Sequence, residues 1–139
     1  MEFLYFDIET IPAQSPDTRK WLVESVKAPG NLKDPEKIKA AIADRQADAV
    51  GKSSFDGFTG HVCTIAWDSP DGEGVAHASS IDQERGVIEA FFRLLKPFGK
   101  LVLAGHNIIG FDMPFLTRRA VALGIKLPGS FQWPRNVQP

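Results

Sequence analysis

Hydrophobic and polar positions fall into blocks along this chain, and the period changes from block to block. Residues 2–8, EFLYFDI, are aromatic and β-branched and predict a strand, closed by Pro12. DTRKWLVESVK predicts a helix over 17–27, with Asp17 as its cap and Trp21, Leu22 and Val26 as a partial apolar face. APGN breaks it. A second helix starts at Asp34 with Pro35 in its first turn, and sets Ile38, Ala41, Ile42 and Ala49 near one side. The two helices read as an insertion at about 17–52 whose charges form a solvated face.

GKSSFDGFTG is a glycine-punctuated loop. Its GKSS is not a phosphate loop, because the glycine required five residues before Gly51 is replaced by Gln46. HVCTIAW, the turn DSPDGEG and VAHAS predict a β-hairpin from His61 to Ala78. Ser80 and Gln83 have capping-box spacing before a helix whose Val87, Ile88, Phe91, Leu94 and Leu95 give a helical stripe, widened by Phe92 and ended by Pro97 and Gly99. KLVLAG is a short strand with the uniform apolarity of a sheet covered on both faces. A helix follows from about Met113 to Leu123, burying Met113, Leu116, Ala120 and Leu123. After Gly124 the pattern yields only a short strand at 125–127. The order predicts an α/β fold: a three-strand antiparallel meander, then alternating helices and strands, in a mixed sheet with helices on its faces.

At 139 residues and 43% hydrophobic content, the chain is long and apolar enough to build one domain with its own core. The single cysteine, Cys63, excludes an internal disulfide framework and reads as a small buried hydrophobe. No apolar run approaches membrane-spanning length and no signal peptide precedes the first strand, so a cytoplasmic protein without membrane partners is expected. Sixteen basic residues against seventeen acidic ones exclude a protein that coats nucleic acid by neutralising phosphates. An enzyme that grips a few nucleotides through metal ions remains compatible.

The chemistry concentrates in a few positions. In LYFDIETIP, Asp7 and Glu9 project from one side of a strand, about 7 Å apart along it. Buried carboxylates are costly unless neutralised. Such a pair can hold hard cations about 3.5–4 Å apart; acids that are salt-bridged or stand at an exposed strand end give the same pattern. In GHNIIGFD, Asp112 follows an apolar strand and precedes a helix, where it could cap the helix with one oxygen and face a metal with the other. Capping does not account for Asn107 or for Phe111 beside the acid. An amide and an aromatic ring suit a nucleotide, one for hydrogen bonding and one for stacking, while a core role for Phe111 is equally open.

FDIET with a downstream HNIIGFD resembles the first two motifs of the DEDD 3′–5′ exonucleases of the ribonuclease H-like superfamily. The likeness is greatest to the proofreading exonuclease domain of family-B DNA polymerases and its stand-alone bacterial and phage relatives. DIETIP, GHVCTIAW and FDMPFLTRRAVALGI extend it over essentially the whole chain. The resemblance implies a mixed sheet of antiparallel then parallel strands flanked by helices, with acids clustered at one edge. It implies two Mg²⁺ or Mn²⁺ ions held by Asp7, Glu9 and Asp112: one to activate a water for in-line attack, one to stabilise the leaving 3′ oxygen. Asp7 would contact both ions, Glu9 the nucleophile-side ion and Asp112 the other. Asn107 and Phe111 would position the terminal nucleotide, with Ile11 near the substrate, though the residue alone reads as core; His106, preceding Asn107, could bond a phosphate or a backbone carbonyl.

That family also carries a third motif, with a fourth acid and a Tyr or His that orients the water. The sixteen residues after Leu123 contain no Asp, Glu, His or Tyr, and Asp56, Asp68, Asp71 and Asp82 do not match it. The expectation is a C-terminally incomplete fold with three of four carboxylates, acting as a metal-dependent 3′–5′ exonuclease on single-stranded DNA ends beside replication or repair proteins. A catalytically deficient module that binds nucleic-acid ends or a replication partner is the alternative. An oligoribonuclease-like RNA enzyme is a third reading. His61 and His77 are expected to be structural or exposed, and Arg118, Arg119 and Lys126 to form a solvated face beside Asp112.

Overall fold

The computed structural model describes residues 2–95, 101–129 and 131. Its sheet has the strand order β3-β2-β1-β4. The central strand β1 (Glu2–Ile11) pairs antiparallel with β2 (His61–Ser69), which pairs antiparallel with β3 (Gly72–His77). On its other side β1 runs parallel to β4 (Leu101–Ala104). This is the mixed sheet that the pattern predicts.

Alternation along β1 separates its two faces. Leu4, Phe6 and Ile8 are buried, while Phe3, Tyr5, Asp7 and Glu9 are exposed on the other side. The buried face packs with Val62 and Ile65 of β2 against Val87, Ile88, Phe91 and Phe92 of α3 (Glu84–Leu94). Met113, Phe115, Leu116 and Ala120 of α4 (Asp112–Leu123) complete the core; Phe115, outside the predicted stripe, is fully buried in it.

The helices α1 (Pro16–Glu24) and α2 (Pro35–Lys52) contain no buried residue, as an insertion on the core should. Asp34 caps α2 through the Glu36 N–H as expected. Ser15, not Asp17, caps α1: Pro16 suits the first helical position, which moves the cap back two residues. The capping-box expectation at Ser80 is also displaced. A 3-10 turn at Ile81–Gln83 intervenes, and Gln83 accepts from the Ser79 N–H at 2.8 Å.

The strand expected at 125–127 does not form. Gly124 adopts a left-handed conformation at φ 63°, its N–H bonds to Val121 O, and the Ile125 N–H closes on Ala120 O at 2.8 Å. The backbone donor of Ile125 is thus spent on ending α4, while its side chain packs on the core. Cys63 is half-buried rather than a core hydrophobe; its thiol donates to Glu9 O at 3.3 Å. Pro97 and Gly99, the expected stops of α3, lie outside the described residues.

Candidate functional site

β1 is longer than its parallel neighbour. Its pairing with β4 ends at Tyr5↔Ala104, yet it runs on to Ile11. The segment 105–111 and the start of α4 occupy the vacated edge. Gly105 permits the turn, because a side chain there would collide with Phe6 O. Ile108 anchors the segment in the core. Asn107 takes a left-handed conformation at φ 52° and its carbonyl accepts from the N–H groups of Gly110 and Phe111. Its side-chain amide lies over Gly110, where a Cβ would strike it.

This turn delivers Asp112 to β1. The carboxylate is 2% exposed and its Oδ1 accepts the backbone N–H of Ile8 at 3.1 Å. Asp112 is therefore the first residue of α4, and Phe111 occupies the cap position without a side-chain bond. The capping role expected of Asp112 is replaced by a bond to the strand carrying the other two acids. Burial pushes its carboxyl up, the hydrogen bonds from Ile8 and its own backbone N–H oppose this, the charge on Asp7 pushes further up and His106 opposes. The balance is a carboxyl raised above 3.8.

Asp7 and Glu9 share the exposed face of β1, well inside the strand rather than at its end. Among the described residues neither side chain has an ion pair or hydrogen bond. Beside Asp7 runs an open groove of about 560 Å³ lined by Tyr5, Phe6, Trp67, Asp68, Gly105 and His106. Asp68, expected in a turn, lies in β2 opposite Tyr5 and borders this groove. Ile11 is at the end of β1, in a smaller cavity of about 140 Å³ with His61, Val62 and Cys63. Among the described residues, no three His, Cys, Asp or Glu side chains are grouped closely enough to hold a metal ion. The structure thus brings Asp7, Asp112 and His106 into electrostatic contact, places Glu9 on the Asp7 face, and sets Phe111 and Asn107 on the adjoining turn.

Of the expected solvated face, Arg118 and Lys126 are exposed but Arg119 is not. Arg119 is 5% exposed and binds Glu84, itself 1% exposed, through Nε at 2.8 Å and Nη2 at 2.6 Å. Glu84 also accepts the Val62 N–H at 2.8 Å, and His61 Nδ1 lies 3.0 Å from its other oxygen. Burial pushes Glu84 up, but the bonds from His61, Arg119 and Val62 and the Arg119 charge outweigh it and hold the carboxyl below 4.5. Arg118, the next residue, turns outward over the Phe58 ring at 6.0 Å. His77 is exposed, with Nδ1 2.9 Å from Thr64 Oγ1.

A family model describing the exonuclease domain of DNA polymerase family B matches residues 2–136. The chain belongs to that family. A solved structure similar to the domain is the family B DNA polymerase from the hyperthermophilic archaeon Pyrobaculum calidifontis, at 28% identity, covering 91% of this chain with a TM-score of 0.53. The chain spans only 12% of that polymerase. No curated protein matches the chain. The mixed sheet and its helices are accordingly the ribonuclease H-like α/β fold expected from the sequence. An exonuclease domain of this family is a nuclease by kinship, with nucleic acid as its class of substrate and a general dependence on divalent metal. No helix of the described residues is long and apolar enough to cross a membrane.

Proposed function

We propose that the domain is a 3′–5′ exonuclease that removes terminal nucleotides from single-stranded DNA using divalent metal held by Asp7, Glu9 and Asp112. The observation that carries this reading is the unpaired state of Asp7 and Glu9 beside the raised carboxyl of Asp112. The charge of Asp7 raises the Asp112 carboxyl and Glu9 shares the exposed face of Asp7, so a hard cation bound there would relieve repulsion between carboxylates.

The residues fit Mg²⁺ or Mn²⁺, for all three offer carboxylate oxygens and no soft ligand. Such ions, when bound, polarise the phosphodiester and lower the pKa of bound water. Asp112 would offer Oδ2 for this role, since Oδ1 accepts from Ile8. Asp7 lines the open groove, so a strand lying in it would meet the acid. His106, on the same groove, can donate to a phosphate oxygen, and Phe111 offers a ring face to the terminal base. The half-buried Ile11 and the exposed Asn107, on the strand and turn that hold the acids, would contact the terminal nucleotide.

A second reading, a module that binds 3′ ends or a replication partner without cleaving, is favoured by the spacing of the acids, since among the described residues no three His, Cys, Asp or Glu side chains are grouped closely enough to hold a metal ion. End-labelled single-stranded DNA incubated with Mn²⁺ separates the two. Stepwise shortening from the 3′ end that disappears in Asp7→Asn supports the exonuclease. Binding without shortening supports the module, and preference for short RNA over DNA contradicts the choice of substrate.

A further inference from the structure

The loop between α2 and β2 exposes two aromatic rings, Phe55 at 67% and Phe58 at 58%. Exposed rings on a fluctuating loop would need no explanation. This loop is not of that kind. The Asp56 carboxylate accepts from the Phe58 N–H at 3.1 Å and from Thr59 Oγ1 at 3.2 Å, and Asp56 O accepts from the N–H groups of Thr59 and Gly60. Gly57 lies so tightly on α4 that a Cβ there would come within 2.6 Å of Phe115 O and 2.9 Å of Arg118 Cβ. Gly60 is pressed equally against Ser53 O and Ile11 O. Thr10 Oγ1 bonds to Ser54 O at 2.8 Å, tying the loop to β1 one residue past Glu9. The backbone is held on both sides while the two rings are held outward.

Their surroundings indicate what they meet. Phe55 stands edge-on to Phe111 at 6.2 Å between ring centroids, and Phe111 directly precedes Asp112. Arg118 places a guanidinium over Phe58 and, among the described residues, makes no ion pair with a carboxylate. Aromatic faces interleaved with an uncommitted cation, contiguous with the acids, match a nucleic-acid strand: bases for the rings, phosphate for the cation.

We infer that Phe55 and Phe58, with Arg118, form a stacking platform for unpaired bases of the strand whose 3′ end lies at Asp7, Glu9 and Asp112. The inference rests on the proposed nuclease reading for the direction of the strand. Base faces are hidden inside a duplex, so the platform selects single strands, and every base offers a π-face, so it is tolerant of sequence.

Fluorescence anisotropy of a labelled oligothymidylate in Ca²⁺ tests it. Phe55→Ala and Phe58→Ala are each expected to weaken binding about 5- to 100-fold, and Phe55→Leu to behave like the alanine variant while Phe55→Trp retains affinity. Arg118→Ala is expected to weaken binding and to flatten its salt dependence. Unchanged affinity in both alanine variants, equal binding of an abasic strand, or no binding by the wild type overturns the platform. Self-association in sedimentation that Phe55→Ala disperses, with oligonucleotide binding intact, also overturns it, and assigns the rings to contacts between copies. Hydrolysis of a dinucleotide in Mn²⁺, compared between wild type and Asp7→Asn, reads the acids alone, so failure of the catalytic reading is distinguished from failure of the platform.

Discussion

The carboxylate of Asp112 and the backbone N–H of Ile8 are joined by a 3.1 Å hydrogen bond across 104 residues of chain. Ile8 separates Asp7 from Glu9, so this bond brings α4 against the strand segment that bears both acids. One carboxylate oxygen thus serves the fold.

Asparagine and alanine at position 112 should therefore differ. Asp112→Asn keeps an oxygen acceptor for Ile8 and removes a charge repelled by Asp7, so without metal it should be at least as stable as the wild type. Asp112→Ala leaves a buried N–H unpaired and should cost about 1–3 kcal/mol, beyond any packing loss. Urea denaturation of the two variants measures the difference, and equal stabilities would show that the bond contributes nothing.

The raised carboxyl of Asp112 has a signature in pH. Between its ordinary 3.8 and its raised folded value, the folded state binds more protons than the unfolded state. Stability contributed by this group therefore falls as pH rises through that window. Melting temperatures taken in EDTA across the window should show the fall in the wild type and not in Asp112→Asn.

Glu84 has the opposite sign. Its carboxyl is depressed, so its contribution is present above 4.5 and lost as pH falls through the lower folded value. Glu84→Gln should abolish that acid limb. It also leaves Arg119 buried without a counter-charge, a change worth about 3–5 kcal/mol at neutral pH by chemical denaturation.

The features readable from sequence are those fixed by local period and local chemistry. Alternation in LYFDIETIP placed Asp7 and Glu9 on one face, and the spacing of Val87, Ile88 and Phe91 identified the buried side of α3. The Asp112–Ile8 bond was not readable, because it depends on β1 outrunning β4, a matter of strand register. The burial of Arg119 was equally hidden: its partner Glu84 lies 35 residues away, and an arginine pair on a helix looks solvated until that partner is placed. At 125–127 the apolar pattern was sound, but the Ile125 N–H goes to the end of α4 rather than to a sheet.

Glycine packing in the 53–60 loop gives a paired test. Gly60→Ala drives a Cβ onto the Ser53 carbonyl and to 3.1 Å from Ile11 O, and should cost about 1–3 kcal/mol. Gly30→Ala, with nothing within 4 Å of the added carbon, should be neutral or stabilise by up to about 1 kcal/mol. Thermal denaturation of both variants checks the contrast.

The account stands most directly on thermal melting at neutral pH with and without millimolar Mn²⁺, for wild type and Asp7→Asn. Metal that binds only the folded state raises the melting temperature in proportion to the logarithm of its concentration over Kd. The wild type should melt higher in Mn²⁺ than in EDTA, and Asp7→Asn should lose most of that increase. A wild-type melting curve that Mn²⁺ leaves in place would contradict the assignment of Asp7, Glu9 and Asp112 as joint metal ligands.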